Sequence, residues 1–367
     1  MTPPTAEDRR WLEAAARQAT PYLGTTGGRP TVGSILVDPA TRKLLGRAVT
    51  GPGGSLSAAT QAIAEAADAA PGATLYLTLG PEPESGGSGP TGDVDAVLAV
   101  GIARVVVGVA DPGPGTAGQG IERWRAAGID VVIADDAACR RLHEGHFSRC
   151  LEGRPFVTCK LAISADDKVG RFGAGRVAIV GEAAERWTEM QRATSNGVMI
   201  GWGAASVDDP ELAVGLAGLE GRAPLRIVVA GLRTYRPQMR LVTTVPERPV
   251  AIIAIPEKKL ELPGGIEMIR VKGARGRPDL SLALAALAGR GVQSLLVEAG
   301  PTLTEALLTA GLVDRFHLVR SEAIIGPQGV PATGKGTMEQ RLVAAGFSLV
   351  DHRLLGADNL RTFERHF

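Results

Sequence analysis

Aromatic residues are scarce in this 367-residue chain, with 4 Trp, 3 Tyr and 7 Phe, while Gly (48) and Pro (24) are plentiful. That bias carries no functional reading, but other scarcities exclude whole classes. Only three cysteines occur, Cys139, Cys150 and Cys159. They leave one unpaired in any disulfide scheme and form no Cys-x-x-Cys pair, so free thiols are expected. No run of about 18 uncharged apolar residues is present, which excludes a helical membrane span. The N-terminal stretch MTPPTAEDRRWLEAAARQA is charged and lacks the apolar core of a signal peptide, so a cytoplasmic protein is expected. The net charge is only +1, with Lys and Arg scattered along the chain, so there is no electrostatic footprint for nucleic acid or an anionic membrane. No period of about 20 to 50 residues repeats, which excludes a solenoid.

What is present is an alternation of short apolar runs and Ala-rich helical runs, the signature of an α/β protein with a largely parallel sheet. TVGSILV, ATLYLTL, ARVVVGV and IDVVIA read as strands of a first half, with helices over Leu56 to Ala70 and Gly120 to Ala127 between them. FVTCKLAIS, GVMIGW, LRIVVAG, PVAIIAI, IEMIRV, QSLLVEAG and RFHLVRS repeat the pattern in a second half, separated by helical stretches such as EAAERWTEMQRAT and LSLALAALAGRG. A charged helix ends and a proline opens a new strand at EGRPFVTCKLA, so two domains are expected, 1–152 and 153–367. The Gly-, Pro- and Glu-rich segments 80–92 and 212–224 read as surface loops.

Cys139, His143, His146 and Cys150 fall at i, i+4, i+7 and i+11 and would share one helical face. Four ligands spread over about 16 Å of helix cannot converge on one tetrahedral ion, so these side chains read as lining a helix near the boundary.

The order RPTVGSILV, GATLYLTLGP, GIARVVVGVADPGPGTAGQGIERWRAAGIDVVI resembles the deaminase half of the RibD-type bifunctional riboflavin-biosynthesis deaminase/reductase family. The resemblance implies a cytidine-deaminase-like domain, in which a His-Ala-Glu triplet and two Cys residues bind zinc and move protons. Here the triplet falls on Ser57-Ala58-Ala59 and the cysteines on Glu82 and Thr91. The family's Asn-Pro near the first strand is Arg29-Pro30. A hydroxyl, a carboxylate and a second hydroxyl do not make a zinc site, and no Glu is left to shuttle a proton. A degenerate, metal-free deaminase fold is expected.

Residues 154–367 are similar to the reductase half of the same family through RPFVTCKLAISADDKVG, MIGWGAASVDDPEL, PLRIVVAG, SLLVEAGPTLTEALLTAGLVDRFHL and IIGP. This implies a dihydrofolate-reductase-like domain that binds NADPH and reduces an opened ribosyl chain. Read from the residues alone, GVMIGWGAASVDDP is a strand entering a small-residue turn whose backbone N–H groups can approach phosphate. The resemblance places Asp208 at the reduction site, while Asp209 equally suits a cap before Pro210. Glu298 ends a strand at a crevice where a carboxylate suits ligand contact. Arg192 falls on a phosphate-binding Arg of the family, and Arg176 and Lys160 join it as substrate-binding candidates. Gly201, Gly203, Ala204, Arg233, Gly300 and Thr302 are the cofactor-binding candidates, with Arg236 beside Arg233 as a second cation for the 2′-phosphate.

Several ligand-facing positions depart from the family. Its Ser-Gln-Trp is Arg176-Val177-Ala178, the nicotinamide-side Thr is Val180, and the Thr of its Gly-x-Gly-Thr turn is Ala204. An Arg after Asp-Asp-Pro is Gly215, the Asp-Ser after LRIVV is Ala230-Gly231, and the first Gly of Glu-Gly-Gly is Ala299. Arg176, Lys168 or Arg222 are available to replace lost phosphate contacts. Three readings follow: an NADPH-dependent reductase acting on 5-amino-6-(5-phosphoribosylamino)uracil; a reductase of the same fold for another pyrimidine- or pterin-like substrate; and a non-catalytic binding or regulatory homologue. A phosphoribosyl-pyrimidine-like small molecule and a second copy of the chain, as a homodimer, are the expected partners.

The lost triplet and cysteines generate the first prediction. The purified protein should contain well under one zinc per chain by metal analysis and should release no ammonia from an aminopyrimidine; one tightly bound zinc per chain would overturn it.

Overall fold

The computed structural model describes residues 3–81, 92–113, 118–233, 238–245, 248–257 and 264–365. The chain divides into two compact units, Met1–Gly153 and Arg154–Phe367. The C-terminal residue of the first, Gly153, follows a helix in the left-handed conformation at φ 67°, a helix stop that glycine adopts without strain.

Unit 1 opens with α1 (Ala6–Ala19), started by a capping box in which the Thr5 hydroxyl and the Asp8 carboxylate serve each other's backbone N–H groups. Strands β1 (Gly33–Val37), β2 (Leu44–Val49), β3 (Thr74–Leu79), β4 (Arg104–Val109) and β5 (Asp130–Ile133) form a sheet in the order β2-β1-β3-β4-β5. The β1 pairings are antiparallel, and β3-β4-β5 are parallel. The remaining helices are α2 (Ala58–Ala66), α3 (Asp93–Val100), α4 (Gln119–Ala126), α5 (Ala137–Leu142) and α6 (Glu144–Glu152). Period-2 alternation sends Leu36, Leu75, Leu77, Val105 and Val107 to one core with Ala59, Ile63 and Trp124, and Ile35, Val37, Tyr76 and Val106 to another with Leu12, Ala15 and Cys139. Gly33 permits close docking of α1, since a Cβ there would lie 2.2 Å from the Ala15 carbonyl oxygen.

The segment 139–150 is not one helix, contrary to the sequence expectation. It breaks at His143 (φ −103°, ψ 12°), and the broken ends send their side chains to different partners. Cys139 packs in the core against the α1 side, and His143 Nε2 lies 2.9 Å from Thr78 Oγ1. His146 Nε2 lies 2.9 Å from Asp111 Oδ1. Among the described residues no group of three or more His, Cys, Asp or Glu is arranged to hold a metal ion.

Unit 2 is built on nine strands: β6 (Phe156–Ile163), β8 (Gly197–Gly201), β9 (Leu225–Gly231), β10 (Val250–Ala254), β11 (Ile266–Arg270), β14 (Ser294–Glu298), β15 (Arg315–Arg320), β17 (Phe347–Leu355) and β18 (Asp358–Arg365). Their order is β11-β10-β9-β8-β14-β6-β15-β18-β17. All pairings from β11 to β15 are parallel, and β18 and β17 close the sheet antiparallel. Two small ladders complete it, β7 (Lys168–Arg171) with β16 (Gly329–Pro331) and β12 (Gly273–Ala274) with β13 (Arg277–Pro278). Helices α10 (Leu280–Ala288), α11 (Pro301–Thr309) and α12 (Met338–Ala344) cover the face that carries Val157, Cys159, Leu295, Val297, Phe316 and Leu318. The opposite face carries Val198, Ile200, Val228 and Leu296 and packs on α8 (Trp202–Asp208) and α9 (Arg240–Thr243). Helix α7 (Glu182–Ala193) buries Ala184 against Val319 and Leu360, which alternation assigns to that same face. Among the described residues no helix is long and apolar enough to cross a membrane.

Asp8 ties α1 to the sheet of unit 1. It is 1% exposed and receives Arg104 Nη1 and Nη2 at 2.7 and 3.0 Å and the Tyr76 hydroxyl at 3.2 Å. Burial works against its ionisation, but hydrogen bonds from Arg104 and Thr5 prevail and bring its pKa from 3.8 down to about 2. A depressed carboxyl pKa stabilises the fold above the unfolded value, and the contribution fades as pH falls from about 4 to about 2. Asp8→Ala should cost about 2–4 kcal/mol in denaturant unfolding at neutral pH and lose most of that difference at pH 2. A cost independent of pH would contradict the assignment.

Candidate active site

The parallel register of unit 2 draws a line of polar groups across its sheet. Glu298 on β14 is the Cα partner of Lys160 on β6, which partners His317 on β15, which partners Thr362 on β18. Alternation puts all four on the face under α7, because their neighbours Val297, Cys159, Phe316 and Phe363 face the other core. His317 Nδ1 meets Thr362 Oγ1 at 3.0 Å, and the Trp187 ring of α7 stands edge-on to the His317 ring at 5.0 Å between centroids.

At the carboxyl end of β14, Glu298 is held by a fork. Arg192 Nε donates to Oε1 and Nη2 to Oε2 at 2.8 Å, while Nη1 donates to the Ala213 carbonyl at 3.0 Å. Burial alone would raise the Glu298 pKa, but Arg192 and then Lys160 hold it below the ordinary value. Lys160 is the mirror case. Burial pushes its ammonium pKa down, and Glu298 only partly restores it. The guanidinium that the resemblance assigns to substrate phosphate thus has its three nitrogens on Glu298 and a backbone carbonyl.

Asp208 is the last residue of α8, and partial desolvation raises its pKa against the pull of Arg176. Arg176 is exposed and donates to the exposed Glu185 at 2.9 Å. Its charge also acts on Lys160 and Glu298, as a minor contribution beside that of Arg192. Asp209 diverges. It caps α8 at φ 41°, and its Oδ1 accepts the backbone N–H of Arg240 at 3.0 Å.

The cofactor candidates lie on two adjacent parallel strands, β8 and β14, each followed at once by a helix. Gly201 and Gly300 are the N-caps of α8 and α11, and neither supplies a side-chain cap. A Cβ on Gly201 would lie 3.6 Å from Leu303 in the first turn of α11, so the two helix starts adjoin. A Cβ on Gly203 or Gly300 would meet nothing within 4 Å. This leaves backbone N–H groups uncovered at the carboxyl edge of the sheet, where α11 directs its positive end, and the geometry fits a dinucleotide's phosphates. Ala204 and Thr302 fall in the first turns of the same helices, with Thr302 exposed. Arg233 is exposed just beyond β9, and Arg236 lies outside the described residues.

In unit 1, Ser57 caps α2 by accepting the Thr60 N–H at 3.0 Å, and Ala59 is fully buried in the core. Glu82 and Thr91 lie outside the described residues. The carboxylate found against Ser57 is Asp93, which sequence comparison passed over. Its Oδ1 is buried without a hydrogen-bond partner among the described residues, and burial raises its pKa. Arg29, Thr50, Ser57 and Asp93 line a small pocket. His317 and Trp187 were also missed. The only trace of them in the sequence is the alternation of RFHLVR, which puts His317 on the face opposite Phe316 and Leu318.

The family profile of the RibD C-terminal domain matches residues 155–360. The chain is 29% identical to the riboflavin biosynthesis protein RibD of Escherichia coli K12 over 96% of this chain and 98% of that protein. It is 30% identical to the Aquifex aeolicus RibD over 87% of this chain and 88% of that protein. Among solved structures, RibD of Acinetobacter baumannii superposes with a TM-score of 0.84 at 24% identity, covering 98% of this chain and 99% of that one. The deaminase/5-amino-6-(5-phosphoribosylamino)uracil reductase of Thermotoga maritima gives 0.84 at 23% identity over 98% and 99%. The expected α/β class therefore holds, a cytidine-deaminase-like fold followed by a dihydrofolate-reductase-like one.

Removing Arg192 would leave Glu298 buried beside Lys160 alone. Arg192→Ala should destabilise unit 2 by about 3 kcal/mol, and Arg192→Lys should recover only part of it, because an ammonium cannot make the fork. Denaturant unfolding followed by tryptophan fluorescence measures both; a loss below about 1 kcal/mol for Arg192→Ala would show that the pair does not hold the helix.

Proposed function

The chain belongs to the RibD family, and on that premise we propose that unit 2 is an NADPH-dependent reductase of 5-amino-6-(5-phosphoribosylamino)uracil in riboflavin biosynthesis, while unit 1 is a deaminase fold without deaminase chemistry. The observation that carries this reading is the pairing of Lys160 with the Arg192-held Glu298 at the carboxyl end of β14, beside two adjoining helix starts without side-chain caps. NADPH, when bound, supplies the hydride for C1′ of the opened ribose. The protein's own residues need only orient the sugar and stabilise charge, and no nucleophile is required.

Glu298, fixed by the guanidinium fork, accepts hydrogen bonds from sugar hydroxyls in one orientation. Lys160, whose proton burial has loosened, faces the same space and donates to a sugar oxygen as charge develops there. Asp208 stands at the end of α8 with its carboxyl pKa raised, suited to meet the reacting sugar. Arg192 acts through Glu298 as a positioning residue. That leaves Arg176, exposed and, among the described residues, tied to exposed Glu185, as a guanidinium available to substrate phosphate.

In unit 1 the described residues do not suit zinc. The Ser57 hydroxyl serves the α2 N-terminus, and Ala59 offers a methyl group to the core. No step is assigned to that unit.

Asp208→Asn should lower turnover by about 100-fold or more while leaving NADPH affinity within a few-fold, read by steady-state NADPH oxidation and by calorimetry. Unchanged turnover would remove Asp208 from the reaction. No NADPH binding by the wild-type protein at saturating concentration would replace the reductase reading with a non-catalytic one.

A further inference from the structure

The chain leaves α8 at Asp208 and crosses unit 2 in an irregular segment, 209–215, that is tied down on both sides. Two of its non-glycine residues have positive φ, Asp209 at 41° and Leu212 at 55°. For a bulky side chain such as leucine that backbone region is costly, and it persists only where the surroundings over-determine it. Leu212 is held by burial, 3% exposed in the core that contains Val198, Ile200 and Val228. Asp209 is held by the Arg240 N–H on its Oδ1.

Arg226 fixes the middle of the segment. It is the second residue of β9, is fully buried, and shares a strand face with Val228 and Ala230. Its Nη1 donates to the Glu211 carbonyl at 3.1 Å and to Thr244 Oγ1 at 2.7 Å. Its Nη2 donates to the carbonyls of Thr244 at 3.2 Å and Arg248 at 2.6 Å. One guanidinium thus ties the segment to the end of α9 and to the chain that enters β10. The Glu211 carboxylate repeats the tie in the opposite direction, taking Arg240 and Arg248. Only a planar fork serves these oxygens together; a lysine ammonium lacks that geometry.

Both ends of the segment reach the candidate site. At one end is Asp208 itself. At the other, the Ala213 carbonyl accepts Nη1 of Arg192, the guanidinium that grips Glu298, and the Gly215 N–H donates to Glu189 Oε2 at 2.8 Å, one turn before Arg192 on α7. With Pro210 fixed in φ and Glu211 clamped, a shift at Arg226 passes to both ends.

We propose that Arg226 is a positioning residue for the reduction: through segment 209–215 it sets where Asp208 stands relative to the Arg192–Glu298 fork, and, being fully buried, it meets no ligand itself. The inference rests on the reductase reading, in which Asp208 and Glu298 act on one sugar. It is tested on the full-length Arg226→Lys variant, which keeps the charge and loses the fork, beside Leu287→Ala, a cavity in the opposite core that controls for lost stability. With 5-amino-6-(5-phosphoribosylamino)uracil as substrate, Arg226→Lys should lower kcat about 10-fold or more, and its calorimetric Kd for NADPH should stay within about three-fold of wild type. The Gly215 amide should lose protection from hydrogen exchange by about 10-fold. Leu287→Ala should unfold earlier than wild type and keep kcat within about two-fold. Where Arg226→Lys does not fold, Thr244→Val, which removes one of the four acceptors, carries the same test. A folded variant with wild-type kcat overturns the proposal, as does an equal loss of kcat in Leu287→Ala. A wild-type protein that oxidises no NADPH sinks the reductase reading instead; exchange then decides the positioning, and unchanged protection of Gly215 in the variant overturns it.

Discussion

The forked contact between Arg192 and Glu298 fixes how helix α7 sits on the sheet of unit 2, and most of the site follows from it. A carboxylate and a lysine side by side in a sheet face are costly to bury unless their remaining hydrogen-bonding capacity is filled. Arg192 fills it for Glu298 from the last turn of α7, where a cation also suits the helix dipole. The same helix is held at its start by the Gly181 N–H on Asp358 Oδ2 at 2.7 Å, and in its middle by Trp187 against His317. These three contacts reach β18, β15 and β14 in turn, so α7 spans the polar line edge to edge. Sliding it by one residue would break all three.

Unit 1 is held together differently. Its stability resides in two apolar cores and in the Asp8–Arg104 tie. Ser57 caps α2, and Ala59 packs as a methyl group in one of the cores.

Charge in unit 2 is distributed by the same logic of matching. Exposed pairs contribute little stability each, but they neutralise the surface, and the places where matching fails stand out. One is the buried Lys160, offset only in part by Glu298; the other is the β12–β13 hairpin, whose Arg275 and Arg277 are exposed. Lys160 lies within β6 beside Glu298, the last residue of β14, and the hairpin approaches Gly231, the last residue of β9, so both border the edge where open α/β sheets bind ligands.

The sequence alone determined the α/β class, the family, and nearly every strand flanked by core, because runs such as LRIVVAG and QSLLVEAG must alternate or stay apolar to be buried between helices. It did not mark the β17–β18 hairpin, whose edge strand Phe347–Leu355 is exposed at Leu349, Val350 and Leu354 and so is under no alternating constraint. Nor did it show the break at His143, since helical spacing across 139–150 is indifferent to where Thr78 and Asp111 wait in space. Candidate residues were legible as types: Asp208, Glu298 and Arg192 could be named from local motifs. Their partners were not. That Arg192 faces Glu298 across 106 residues, and that Glu298, Lys160 and His317 share one register, is decided by strand pairing between distant segments. A motif carries the chemistry of a side chain, but which charges share a low-dielectric face depends on where the sheet places them, and that only the tertiary structure decided.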